Sequence, residues 1–377
     1  MPADRIIIVH RPGGFNAAAT NRMVKYAEVI GKSGHETVLV MGSDDPSFLP
    51  DVPGVRQERI VWKKRHFRSL EKLESYWQIL RAIRRNKVVG VTIVFTYGLP
   101  CFMYFLSRRK YKLFSEQTEL LCDHQLSFYD TIRDKLRMKL SRRMDGLIVI
   151  SNALKDYFSD LGVRNLTIVN MFVDQSRFVR LESSVEDYIA YCGTVSMHKD
   201  GVDILVQAFS RLHKSHPLMK LMIIGRFLTS NDEVMVKKLV DDLSLQDSVL
   251  FTGFVHPDRI PELLSKARIL ALARPDSPQA RYGFPTKLGE YLATGRPVVV
   301  TRTGEIDKFL RDGVNCIFAK PGDSDGFAEK LCWALDHYDE ACEIARKGCE
   351  LVGSAFSADV QVMHAVDFID ATISEEK

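Results

Sequence analysis

The chain has no apolar run long enough to span a bilayer, no closely spaced cysteine pair, no low-complexity tract and no internal repeat in its 377 residues. Each absence closes off a class of protein. The longest apolar stretch, residues 99–106 (LPCFMYFL), falls far below the roughly 18 residues of a membrane-crossing helix. The opening MPADRIIIVHRPGG places one Arg before a short β-branched run, which lacks the longer apolar core of a signal peptide. A cytoplasmic location is expected. The seven cysteines, at 101, 122, 192, 316, 332, 342 and 349, are odd in number and scattered, which favours reduced thiols over a disulfide framework or a zinc tetrahedron. With 46% hydrophobic and 27% charged residues, the disordered and fibrous classes also drop out.

What is present is an alternation of strand and helix patterns. A chain of this length exceeds what one hydrophobic core usually organises, so two domains are expected. Strand patterns at 5–10, 37–41, 91–96, 112–115 and 146–150 alternate with helical patterns at 17–33, near 69–86 and at 131–142. Pro12-Gly13-Gly14 turns the chain after the first strand and Gly34 stops the first helix, so the opening unit reads as a βαβ with a glycine turn. A polar, poorly patterned stretch at 174–187 interrupts the rhythm. Strands at 188–192, 220–224, 249–252, 269–273, 298–301 and 316–319 then alternate with helices at 202–215, 232–243, 260–266, 287–294 and 305–310. The fold class expected is α/β, with two Rossmann-like doubly wound domains facing a central cleft. Their expected bounds are 1–174, a linker at 175–187, 188–355, and a C-terminal helix at 356–377 that packs back on the first domain.

The formal charge of +4 conceals an asymmetry. Residues 1–180 hold 30 Lys and Arg against 18 Asp and Glu, a net of +12, which leaves −8 for the remainder. Most of the excess lies in 56–112, where 15 basic residues face 3 acidic ones, among them Lys63, Lys64, Arg65, Arg81, Arg84, Arg85, Arg108 and Arg109. Such a segment attracts an anionic membrane surface, a phosphorylated acceptor or nucleic acid, or is simply a solvated face. The segment carries no recognition motif of a nucleic-acid module, so no nucleic-acid partner is expected.

The sharpest local pattern runs from Arg281 to Val298, RYGFPTKLGEYLATGRPV. Gly283 permits a tight turn, Phe284 and Pro285 lead into a helix, and Thr286 and Lys287 fall where its free N–H groups point outward. Donors, a positive dipole end and a lysine together make an anion site suited to a diphosphate. Glu290, one turn further on, is placed to accept both hydroxyls of a ribose. A helix start with a surface Lys/Glu pair has the same pattern.

This segment resembles the nucleotide-sugar signature of family 4 glycosyltransferases, which have the GT-B fold, in the form G-F-P-[ST]-K-x-x-E-Y-x-A-x-G-x-P-V. The stretch YCGTVSMHKDGVDIL from Tyr191 is similar to that family's glycine turn, Gly193 and Thr194 here, and its following lysine, Lys199 here. IVNMFVD, ending at Asp174, resembles its interdomain Asn-x-x-Val-Asp element, and the glycine turn at Gly13 and Gly14 with Gly34-His35 fits its start. The resemblance implies retaining transfer without metal or other cofactor, from a UDP- or GDP-sugar donor to a glycan or lipid-linked acceptor. Lys199, Lys287 and the amides near Thr286 would meet the charge of the departing diphosphate. Glu119 and His124, after a strand in the first half, would hydrogen-bond acceptor or donor sugar, and Gly13, Gly14 and Asn16 would bring backbone close to the ligands.

The sequence departs from the signature in three places. Tyr282 stands where many relatives have a glutamate, Asp200 separates Lys199 from Gly201, and the arginine usual before that lysine is missing, with Arg226 offered in its place. A sugar-nucleotide epimerase of the same architecture is the competing enzyme reading, and a basic nucleic-acid-binding protein the non-enzymatic one.

Overall fold

The computed structural model describes residues 4–10, 17–43, 45, 49–62, 68–97, 106, 111–120, 139–178 and 184–374. The chain divides into two units, the first made of 1–170 and 358–377, the second of 171–357.

The first unit runs β1 (Arg5–His10), α1 (Ala17–Lys32), β2 (Glu36–Ser43), β3 (Arg56–Val61), α2 (Arg68–Arg85), β4 (Thr92–Tyr97), β5 (Lys112–Gln117), β6 (Gly146–Val149), α3 (Asn152–Asp160) and β7 (Leu166–Ile168). Among the described residues these strands form one parallel sheet in the order β3-β2-β1-β4-β5-β6-β7. The order reverses between β1 and β4, the switch point of a doubly wound sheet. β1 is central and reads as an unbroken apolar run because a parallel strand is covered on both faces. Ile7, Val9, Val38, Val40 and Val94 pack with Ile79 and Ile83 of α2 on one face. On the other face, α1 buries Met23, Tyr26, Ala27 and Ile30 at helical spacing.

The second unit runs β8 (Glu186–Cys192), α4 (Met197–Asp200), α5 (Val202–Ser215), β9 (Lys220–Ile224), α6 (Ser230–Asp242), β10 (Val249–Gly253), α7 (Ile260–Lys266), β11 (Ala267–Leu272), α8 (Pro278–Tyr282), α9 (Thr286–Ala293), β12 (Val298–Thr301), β13 (Ile317–Ala319), α10 (Ser324–Asp336) and α11 (Tyr338–Val352). Its described strands form a parallel sheet ordered β10-β9-β8-β11-β12-β13, with the reversal between β8 and β11. The last helix, α12 (Ala358–Ser374), belongs to the first unit. There the Phe368 ring meets Phe114 edge to face with centroids 5.9 Å apart, and Gln361 accepts from the Asn170 amide at 2.8 Å.

The expected alternation is present, with local differences. β3 and β7 were not expected, because RQERIV is a polar edge strand and LTI only three residues long. The helix expected at 305–310 is reduced to a single 3₁₀ turn, Ile306–Lys308. Within the stretch read as linker, Gln175–Phe178 forms a 3₁₀ turn, and β8 begins at Glu186.

Candidate active site

The carboxyl ends of β8 and β11 carry the candidate residues of the second unit, at the reversal of strand order where doubly wound sheets bind ligands. The chain leaves β8 through Gly193 at φ +148°, a backbone region that L side chains rarely adopt. A Cβ here would strike the Nζ and Cε atoms of Lys287. The glycine turn and the first turn of α9, far apart in sequence, are therefore packed against each other. Ser196 caps α4, accepting from the Lys199 amide at 3.3 Å. Gly201 ends α4 in the left-handed region, and a Cβ there would hit the Ala273 carbonyl.

Lys287 Nζ lies 2.5 Å from Asp200 Oδ2 and donates to the Tyr191 hydroxyl at 3.0 Å. The Tyr191 hydroxyl also lies 2.8 Å from Asp200 Oδ2. Burial pulls the Lys287 ammonium below the ordinary lysine value, Asp200 pushes back, and Lys199 and Arg274 add to the fall. Burial alone would raise the Asp200 carboxyl, yet Lys287 and Arg274 hold it below the ordinary carboxylate value. Arg274 follows β11, is buried, and donates from Nε to the Lys199 carbonyl at 3.3 Å. Lys199 and Arg274 thus gather around the Lys287–Asp200 pair. The arrangement has positive charge in surplus at a strand-end crevice, which suits a polyanion.

The remaining candidates of this unit divide. Thr194 is exposed, and its carbonyl accepts from Tyr191 at 2.7 Å. Thr286 opens α9 and Pro285 precedes it as the cap. Gly283 ends α8, donating to the Gln279 carbonyl at 3.1 Å. The Phe284 ring is used in packing, with the Phe309 and Phe356 rings at 5.7 and 5.9 Å. Glu290 Oε1 accepts from Arg177 at 3.0 Å. Burial raises the Glu290 carboxyl, with Arg177 and Lys287 opposing. Arg226 is exposed, with its guanidinium carbon 4.9 Å from the Phe254 ring centroid. The buried arginine beside Lys199 is Arg274, which the sequence signalled only as a charge just after a buried strand. Asp200 and Tyr191 were likewise not singled out as site residues. Cys192, next to the turn, has its thiol pushed up to about 12 by burial and is no nucleophile at neutral pH.

In the first unit, Glu119 is half-buried just after β5, next to Thr118, whose hydroxyl lies 2.7 Å from that of Tyr97. Gly13, Gly14, Asn16 and His124 lie outside the described residues. For metal binding, the sequence has an Asp-x-Asp, Asp323-Ser324-Asp325. There Asp323 caps α10 at the Gly326 amide, 2.9 Å away, and Asp325 pairs with Arg211. No group of three or more His, Cys, Asp or Glu that could hold a metal ion occurs among the described residues.

Two family models match the chain, Glycosyltransferase Family 4 over residues 19–177 and Glycosyl transferases group 1 over residues 186–337. The chain belongs to glycosyltransferase family 4. The lipopolysaccharide core biosynthesis glycosyltransferase LpsE of Rhizobium meliloti is 24% identical to this family 4 chain over 59% of it and 63% of LpsE. The MMP α-(1→4)-mannosyltransferase of Mycolicibacterium hassiacum is 23% identical over 59% of the chain and 53% of that protein. The chain therefore matches less than two thirds of the length of either relative. Among solved structures, Anabaena HepE in complex with UDP-glucose superposes with a TM-score of 0.78 at 16% identity, covering 97% of this chain and 99% of that one. That likeness gives the family 4 chain the GT-B fold. Among its described residues no helix is long and apolar enough to cross a membrane.

Proposed function

We propose that this family 4 chain is a retaining hexosyltransferase that moves a sugar from a UDP- or GDP-sugar to a glycan or lipid-linked acceptor in cell-surface polysaccharide or glycolipid assembly. The observation that carries the reading is the gathering of Lys199 and Arg274 around Lys287, which packs on the Gly193 turn at the switch point of the second sheet. As the glycosidic bond breaks, negative charge grows on the departing diphosphate, and preorganised cations and helix N-terminal amides lower that barrier. This arrangement makes a metal ion unnecessary. Glu290, steadied by Arg177, takes the ribose hydroxyls, and the acceptor hydroxyl attacks the face the diphosphate leaves. The activity named for LpsE and the UDP-glucose bound to HepE support the acceptor and donor classes.

The basic segment supports a membrane-surface location for the acceptor. Leu73 and Trp77 are exposed on α2, and the Arg81 guanidinium carbon lies 3.4 Å from the Trp77 ring centroid, with exposed Arg84 and Arg85 one turn on. Arginines with an interfacial aromatic favour peripheral docking on an anionic, cytoplasmic membrane surface.

A thermal-shift panel of UDP-, GDP- and dTDP-sugars in excess EDTA tests the reading. One base class should raise the melting temperature, because a ligand bound only by the native state adds to its stability. No shift across the panel overturns the donor assignment. A shift that appears only after magnesium or manganese is restored overturns the metal-free part. Conversion of the nucleotide sugar with no acceptor present would favour an epimerase.

A further inference from the structure

Asp200 sits where the signature has no residue, and its place in the second unit is unusually constrained. It is 2% exposed, held between the Ser196 cap and the left-handed Gly201. Its Oδ2 meets both Lys287 and the Tyr191 hydroxyl. An ammonium has three N–H groups. Among the described residues Asp200 and Tyr191 take two of those on Lys287, whose Nζ lies against the Gly193 turn.

The groups facing Lys287 come from every element around it. Tyr191 is the penultimate residue of β8, Lys199 and Asp200 are on α4, Arg274 follows β11, and Glu290 is one turn along α9. Glu290 is itself paired with Arg177. Burial and two neighbouring cations all favour loss of the Lys287 proton, and Asp200 is the carboxylate in direct contact that opposes it. We propose that Asp200 is a positioning residue that keeps Lys287 charged and aimed over the Gly193 turn, and so sets the alkaline limit of anion binding at this site. The anion-binding part rests on the proposed role of Lys287 toward the donor diphosphate.

Two readouts separate the pair from its ligand. The first is brief acetic anhydride labelling across pH, with mass spectrometry reporting the Lys287 adduct in the unliganded protein. Asp200→Asn should let Lys287 react at a pH lower by about one unit or more, a tenfold change at fixed pH. The second is calorimetric titration with UDP. As pH rises, Asp200→Asn should lose affinity before the wild type does, with the two profiles separated by about one unit, which is up to a tenfold difference at fixed pH. Asp200→Glu, which keeps the charge, should restore the upper limit. In a Lys287→Arg background the pH dependence should vanish, because a guanidinium keeps its proton. Unshifted labelling, or a loss of UDP affinity equal at every pH, overturns the proposal. Shifted labelling with wild-type UDP affinity throughout upholds the pairing and overturns the assignment of Lys287 to the diphosphate.

Discussion

Each sheet carries an ion pair at its carboxyl edge, and the two pairs differ in a way that separates scaffold from site. In the first unit, Arg22 of α1 reaches Glu116 of β5 through Nε at 2.9 Å and Nη2 at 2.7 Å. Tyr26 donates to the same Oε1 at 2.7 Å, and Arg22 also holds the Val169 and Asn170 carbonyls at 3.0 and 3.1 Å. The side chains are 5% and 0% exposed. One cation meets one carboxylate, and the guanidinium ties α1 and β5 to the chain end of the unit. In the second unit, Lys287 and Asp200 are 15% and 2% exposed, with two further cations nearby. The residue types explain the rest. A buried guanidinium cannot shed its proton, whereas a buried ammonium can, so the first pair is a fixed staple and the second has a charge state open to adjustment.

The largest effect should come from breaking the staple. Glu116→Gln keeps the shape but leaves Arg22 charged and uncompensated, which costs about 3–5 kcal/mol for a buried pair. Urea unfolding would measure it. Asp200→Asn should cost less in the same experiment, because Lys287 can discharge. Equal losses would erase the distinction between the two pairs.

The next effect is mainly on rate. Lys287→Ala should lower turnover by about 10²-fold or more, the usual loss when one charge-stabilising donor is removed, and it should also lower the urea midpoint, because it leaves the buried Asp200 without its ammonium partner. Glu290→Gln provides the contrast. A carboxylate on ribose hydroxyls acts equally in ground and transition states, so donor KM should rise more than kcat falls. A 2′-deoxy donor should reproduce that change in the wild type and add little to the mutant. Additive effects would place the ribose elsewhere.

How much of this was legible in the sequence depended on whether the signal was local. RIIIVH announces a covered strand and IPELLSK a short helix with Pro in its first turn, and both appear where expected. β3 was hidden because Arg56 and Glu58 obscure the period of an edge strand. At 305–310 a helix-like composition yields one 3₁₀ turn, Ile306–Lys308, after Gly304 at φ +58°. In the candidate site, the segment around Lys287 carried its own pattern. Arg274 did not, because one arginine after a strand looks the same whether it ends in solvent or under Lys199. The contact between Gly193 and Lys287 is tertiary, and neither motif alone implied it.

The smallest effect distinguishes the units by pH. His10 ends β1 with Nε2 2.9 Å from the Thr20 hydroxyl and Nδ1 buried with no partner among the described residues. Burial lowers its pKa from 6.5 to about 4. Between those values the unfolded chain binds a proton that the native state refuses, so this group's contribution is intact above about pH 6.5 and is lost as pH falls through the window. From pH 7 to pH 5 the loss is about 2 kcal/mol, at 1.36 kcal/mol per unit. In the second unit, Asp200 has a lowered carboxyl value, and its loss on acidification comes below the ordinary carboxylate range. Mild acid should therefore weaken the first unit before the second. Trp62, buried in the first unit, and Trp333 in the second give separate fluorescence reporters when each is kept as the sole tryptophan. His10→Gln should flatten the pH 5–7 slope at Trp62 and leave Trp333 unaffected. A slope that survives the substitution would assign the titration to another group and remove His10 from the comparison.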